Sequence, residues 1–250
     1  MKEIINSLND FSTVNLSDLD KVKLMNRTDQ KFCLHIDKIP VILEKIKDHY
    51  SILEIDGKSV FQYDNTYYDT PDDQMYLNHH NGKRNRFKIR VRQYTQTNIN
   101  FLEIKFKSNK GRTIKERITR PDFELNFTEA EKDFIGNSSP FSGSMLEPKM
   151  RNTFNRITLV NKQFTERVTI DFASEFKNHE KEITLDSLVI VEVKQNRSSD
   201  YALFARTLKE LKVENQGFSK YCIGRSLLEE KIKKNNFKPI LMKIRKQYLN

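Results

Sequence analysis

Between Arg86 and Arg120 the sequence keeps a two-residue period through three successive runs. RFKIRVRQY sets Lys88, Arg90 and Arg92 against Phe87, Ile89 and Val91. FLEIKFKS sets Glu103, Lys105 and Lys107 against Leu102, Ile104 and Phe106, and beyond the NKGR turn Thr113, Lys115 and Arg117 alternate with Ile114 and Ile118. Successive side chains of a strand point to opposite faces, so each run carries one apolar face and one largely cationic face. The turn with Gly111 is short enough for a hairpin. Three neighbouring strands then share one charged surface, although for a single strand an ordinary solvent-facing side would account for it.

The same pattern recurs far outside this stretch. RTDQKFCLHI carries Arg27, Asp29 and Lys31 at alternate positions, TERVTIDF carries Arg167, Thr169 and Asp171, and LVIVEVKQN sets Glu192 and Lys194 against Val189, Val191 and Val193. If the apolar faces turn outward beneath helices, the charged faces converge on one lumen. Confined cations require counter-charge, and a polyanion such as phosphate supplies it. The expected architecture is α+β: a closed antiparallel β-barrel with a charged lumen and helices packed outside. Helical stripes are expected at Ile39, Ile42, Leu43 and Ile46, around Thr128–Phe134, in a short helix ending at Gly82, and at Tyr201, Phe204, Leu208 and Leu211. His79 and His80 diverge by about 100° on a helix and lack a partner at i+4, which favours solvent or a loop contact over a metal.

The 250 residues suffice for one domain with a full core, here read as a segment 1–20, a domain 21–230 and a basic tail 231–250. Forty-four Lys plus Arg against 34 Asp plus Glu give a formal charge of +10, which favours anionic partners. The tail places Ile240, Leu241, Met242 and Ile244 among seven cations and no acid. It reads as a solvated helix end, or as a contact with an anionic membrane or membrane partner. Without interleaved aromatics for base stacking, no specific nucleic acid is expected. Two cysteines give no disulfide framework, and no apolar run is long enough for a span or leader, so the expectation is a soluble cytoplasmic chain, peripheral to the inner face of a membrane at most through its tail.

Seven motifs in order resemble the VTC domain: Arg27-x-Asp29-x-Lys31, YYDT at 67–70, KIRVR at 88–92, LEIK at 102–105, IKER at 114–117, VEVK at 191–194 and FSKY at 218–221. That domain is the polyphosphate polymerase module of the vacuolar transporter chaperone complex, in the CYTH or triphosphate tunnel metalloenzyme superfamily. The resemblance implies transfer of the terminal phosphoryl group of ATP to a growing inorganic polyphosphate chain, with Mn²⁺ or Mg²⁺ as cofactor. By position it implies catalytic roles for Arg90, Arg92, Lys105, Lys115 and Arg167. It implies substrate binding by Lys31, Arg156, Lys220, Arg27 and Lys194, and metal binding by Glu192. The helix after FSKY would plug one side of the tunnel, and product translocation would need a separate membrane partner.

Two departures from the family pattern stand out. Gly217 occupies the place of a second lysine and Asp29 replaces a glutamate; a third position, Phe154-Asn155-Arg156, resembles the family's Tyr-Asn-Arg and carries Arg156 over with it. For Arg27 and Asp29 a salt bridge without ligand contact is as good a reading as a functional role. Phosphoryl transfer asks mainly for positioning and electrostatic stabilisation. Nothing in the set is an evident base for water, which suits an anionic phosphate acceptor. The alternatives are a tunnel triphosphatase acting on nucleoside or inorganic triphosphate, and a non-catalytic polyanion-binding module, for which Gly217 and the basic tail speak.

Overall fold

The alternating runs are strands. The computed structural model describes residues 2–22, 27–196 and 203–249. In chain order it contains α1 (Lys2–Leu8), β1 (Ser12–Val14), β2 (Arg27–His35), α2 (Ile39–Ile46), β3 (Tyr50–Leu53), β4 (Phe61–Asp69), α3 (Gln74–His80), β5 (Arg86–Tyr94), β6 (Ile99–Lys107) and β7 (Thr113–Arg120). There follow α4 (Glu129–Ser138), β8 (Glu147–Asn161), β9 (Glu166–Lys177), β10 (Glu182–Leu185), β11 (Leu188–Asn196), α5 (Leu203–Glu210), α6 (Lys220–Leu228) and α7 (Lys238–Gln247). The main sheet has the order β2-β11-β9-β8-β4-β5-β6-β7, all antiparallel, with β3 beside β8, β10 beside β9 and β1 parallel to β3.

Register brings the charged positions level with one another. Arg90 faces Glu103 across β5 and β6, Lys105 faces Lys115 across β6 and β7, and Arg156 faces Asp171 across β8 and β9. Lys194 lies opposite Arg167, and Glu192 opposite Lys31. On the other face Ile89, Val91, Leu102, Ile104, Ile157, Leu159, Val168 and Val191 are buried under α1, α2, α4 and α5. In α2 the expected stripe Ile39, Ile42, Leu43 and Ile46 is fully buried, and burial of each such side chain contributes about 1.5–3 kcal/mol. In α5 Phe204 and Leu208 are buried as expected, while Tyr201 lies outside the described residues. Helix α4 opens on a capping box in which Thr128 and Glu131 satisfy each other's backbone N–H groups.

The sheet does not close into a barrel, contrary to the sequence expectation: among the described residues β2 and β7 are not paired. The physical reason lies on the β2 edge. Phe32 bridges to Asn215, and the Gln216 N–H donates to the Lys31 carbonyl at 2.7 Å, so the middle of that edge is already hydrogen-bonded and a further strand cannot pair through it. At the far end β7 is exposed except at Ile118 and Arg120. The sheet nevertheless curves strongly. Lys88 of β5 and Asp171 of β9, on strands separated by β4 and β8, both reach the first turn of α6, at Ser219 and Lys220 respectively.

Not every helix lies outside. All residues of α6 from Tyr221 to Leu228 are buried, and the helix rests on the concave side against β8 and β9. Gly224 permits this approach, since a Cβ there would overlap the Met150 sulfur and the Phe176 ring. Helix α7 packs into the same cluster through Ile240, Leu241 and Ile244, so of the four apolar residues singled out in the tail only Met242 is exposed, beside Lys238, Arg245 and Lys246. No described helix is long and apolar enough to cross a membrane. His80 is buried and its Nε2 accepts from the Asn236 N–H at 3.2 Å. His79 packs edge-on against Phe237, and burial pushes its imidazole down to about 2. Both histidines thus meet a loop rather than solvent.

Candidate functional site

On the concave face three carboxylates are each clamped between two cations. Glu103 accepts from Arg90 Nε at 2.8 Å and pairs with Lys115. Asp171 accepts from Arg156 Nε at 2.6 Å and Nη2 at 2.8 Å, along one edge of the guanidinium, and pairs with Lys220. Glu192 lies 2.6 Å from Lys31 and 3.7 Å from Lys194. The clamps decide the protonation states. Burial raises the proton affinity of all three acids, but the cations outweigh it: Arg90, Arg92 and Lys115 at Glu103, Arg156 and Lys220 at Asp171, Lys194, Lys31 and Arg156 at Glu192. Each carboxyl is held well below the usual carboxylate range and stays ionised.

Two cations per acid leave the surface strongly positive, and Arg92, Lys88 and Lys105 have no carboxylate partner among the described residues. Arg92 donates through Nε to Asn65 at 2.8 Å, while burial and Arg90 depress its guanidinium. Lys88 donates to Ser219 Oγ at 2.9 Å. Lys105 has neither a hydrogen bond nor an ion pair among the described residues, and Arg90, burial, Arg92 and Lys115 push its ammonium well below the ordinary lysine value. Lys194 is brought down to about 8 by burial and by Arg156 and Arg167, against the pull of Glu192. A bound anion would relieve all of these groups together.

Register and ion pairs bring together ten of the eleven expected residues on one face: Lys31, Arg90, Arg92, Lys105, Lys115, Arg156, Arg167, Glu192, Lys194 and Lys220. Arg27 opens β2 opposite Asn196, and its side chain lies outside the described residues. Asp29 is exposed opposite Lys194. Arg151, at the start of the same strand as Arg156, pairs with Asp64.

Several partners were not anticipated. Glu103 and Asp171 hold four of the cations, and Tyr63, Asn65 and Tyr67 extend the face through β4. The Tyr67 hydroxyl oxygen accepts from Arg90 Nη1 at 3.2 Å, and although burial pushes its phenol up, Arg90, Arg92 and Lys220 bring it below the ordinary value. The alternation Phe61, Tyr63, Asn65, Tyr67 was the available signal, but its adjacency to KIRVR is set by register. YYDT proves to be a fastening. The Asp69 carboxylate accepts from the Met75 and Tyr76 N–H groups at 2.8 Å, capping α3, and from the Tyr221 hydroxyl at 2.5 Å, tying α6 to the sheet. Arg225 extends this anchor to Asp73 and Glu229.

The donor set fits a divalent metal only in part. Among the described residues no group of three or more His, Cys, Asp and Glu could hold an ion alone. Glu192 offers one ionised carboxylate on the cationic face, which suits a hard cation whose other ligands are phosphate oxygens.

The sequence pattern of the VTC domain matches residues 26–229. In fold the chain is similar to a candidate adenylate cyclase of Bacillus halodurans, at 14% identity over 78% of this chain and 96% of that one, with a TM-score of 0.50. A candidate adenylyl cyclase from Hippeastrum, described as having a dominant triphosphatase activity, aligns at 13% identity over 83% of this chain and 98% of its own, with a TM-score of 0.49. No curated protein matches the sequence.

Proposed function

The chain belongs to the VTC domain family, and from that membership we propose that it transfers the terminal phosphoryl group of ATP to a growing inorganic polyphosphate chain. The observation that carries the reading is the concave cationic face, where Glu103 and Asp171 are each clamped by two cations while the Lys105 ammonium has no partner among the described residues. Such a face attracts a polyanion and, among the described residues, offers no evident base to activate water. A polyphosphate terminus is already anionic and requires none. Its terminal oxygen forms the new bond to the γ-phosphorus, the bond from that phosphorus to the β–γ bridging oxygen breaks, and ADP leaves with the electron pair.

The transition state spreads negative charge over the transferred group, so rate depends on fixed positive charge and alignment. Arg90, Arg92, Arg156 and Arg167 offer guanidinium forks that grip paired oxygens, while Lys31, Lys105, Lys115, Lys194 and Lys220 act as movable point charges. Glu192 would hold Mn²⁺ or Mg²⁺, which would supply further positive charge against the phosphates.

A triphosphatase reading draws on one feature: among the described residues β2 and β7 are not paired, and β7 is mostly exposed. Purified protein with ATP and Mn²⁺ separates the two when free phosphate and chain length on a gel are read alongside Glu192→Ala. Chain growth lost in the variant supports the polymerase. Free phosphate alone, also lost in the variant, moves the reading to hydrolysis, and silence in both with tight polyphosphate binding leaves a binding module.

A further inference from the structure

Tyr63 lies on the cationic face between two arginines. The guanidinium carbon of Arg92 is 5.0 Å from its ring centroid and that of Arg156 4.9 Å. Phe154 stacks parallel to the same ring at 5.3 Å, and in turn carries the Lys220 ammonium at 4.2 Å and the Arg156 guanidinium at 5.2 Å. Both rings are buried. Three cations of the proposed phosphate site therefore rest on two stacked aromatic faces.

The arrangement answers a problem posed by charge. Arg92 has no carboxylate among the described residues, and Arg156 and Lys220 share the single Asp171. Another carboxylate would fix these cations but would also neutralise them and occupy their donors. An aromatic face attracts a cation through its quadrupole, carries no net charge and accepts no conventional hydrogen bond from the guanidinium edge. Burial pushes the Tyr63 phenol up, so the ring meets its arginines as a neutral group. We infer that Tyr63 and Phe154 are positioning residues that set Arg92, Arg156 and Lys220 toward phosphate without taking up the donors that Asn65 and Asp171 leave to the substrate. This rests on the reading of the face as a polyphosphate site.

The test uses the full chain and inorganic tripolyphosphate, with binding read by calorimetry and folding by thermal melting. Tyr63→Phe is made first, and then mono-, di- and trifluorinated phenylalanines are placed at position 63. Fluorine withdraws density from the ring face at nearly constant shape, so a purely packing role does not respond to it. Tyr63→Phe should bind within about twofold of the unsubstituted chain, and affinity should then fall stepwise with each fluorine, by about tenfold in all. Tyr63→Leu, if folded, should lose at least as much. Equal affinity across the fluorinated series overturns the positioning role. Absence of tripolyphosphate binding in the unsubstituted chain instead removes the parent reading, before any substitution is compared.

Discussion

Replacing Lys105 with methionine removes a half-buried cation that stands level with Lys88 and Lys115 and has no partner among the described residues. Stability and binding should respond in opposite directions. Two unit charges about 6 Å apart repel by about 3 kcal/mol at an effective dielectric of about 20. Relaxation and water reduce this, so the ligand-free variant should gain about 1–2 kcal/mol, with methionine retaining most of the aliphatic stem. For a chain of this size that corresponds to a melting temperature higher by about 3–6 °C. A charge-assisted hydrogen bond to phosphate is worth about 1.5–3 kcal/mol, so tripolyphosphate should bind about 10- to 100-fold more weakly. Thermal melting with and without the anion, together with calorimetric titration, reads both quantities. A lower melting temperature with unchanged affinity would show that Lys105 has a structural role and that its environment was misjudged.

The remaining predictions concern the same face. Glu103→Gln leaves Arg90 and Lys115 without their shared anion and should cost about 3–5 kcal/mol, and added tripolyphosphate should recover more of the melting temperature than it adds to the unsubstituted chain. Gly217→Lys puts a cation where a Cβ meets nothing within 4 Å, so tripolyphosphate affinity measured by titration should rise by about tenfold with little change in melting. Lys194, brought to about 8 first by burial and then by Arg156 and Arg167, binds its proton less tightly folded than unfolded. Between about pH 8 and pH 10.4 the unfolded chain therefore holds more protons at this group, whose contribution makes stability rise with pH. Polyanion affinity should fall over the same window, and titrations in buffers of different ionisation enthalpy should show proton uptake on binding; affinity rising with pH would contradict this.

The strands of the charged sheet were legible because half-burial imposes a period of two, and the α2 stripe because an amphipathic helix imposes one near 3.6. Which cation faces which carboxylate was not legible. Arg156 and Asp171 are brought together by a register that includes an irregularity between Thr153 and Asn155, and local sequence does not encode it. Closure failed as an expectation for a related reason. Alternation determines faces, whereas closure depends on edges, and the β2 edge is taken by Asn215 and Gln216 from a segment without strand patterning. The tail's apolar residues suggested a surface contact, but α6 and its neighbours offered Ile240, Leu241 and Ile244 a nearer core. Tyr63 and Phe154 read as strand residues, and only their stacking on the arginines and Lys220 gives them a further role.

The most direct measurement follows the labelled γ-phosphoryl group of ATP in the presence of Mn²⁺ and an oligophosphate acceptor of defined length. The account predicts that label appears in an acceptor one phosphate longer, in step with ADP, and that free phosphate falls as acceptor is added. Label released entirely as inorganic phosphate at every acceptor concentration would contradict it.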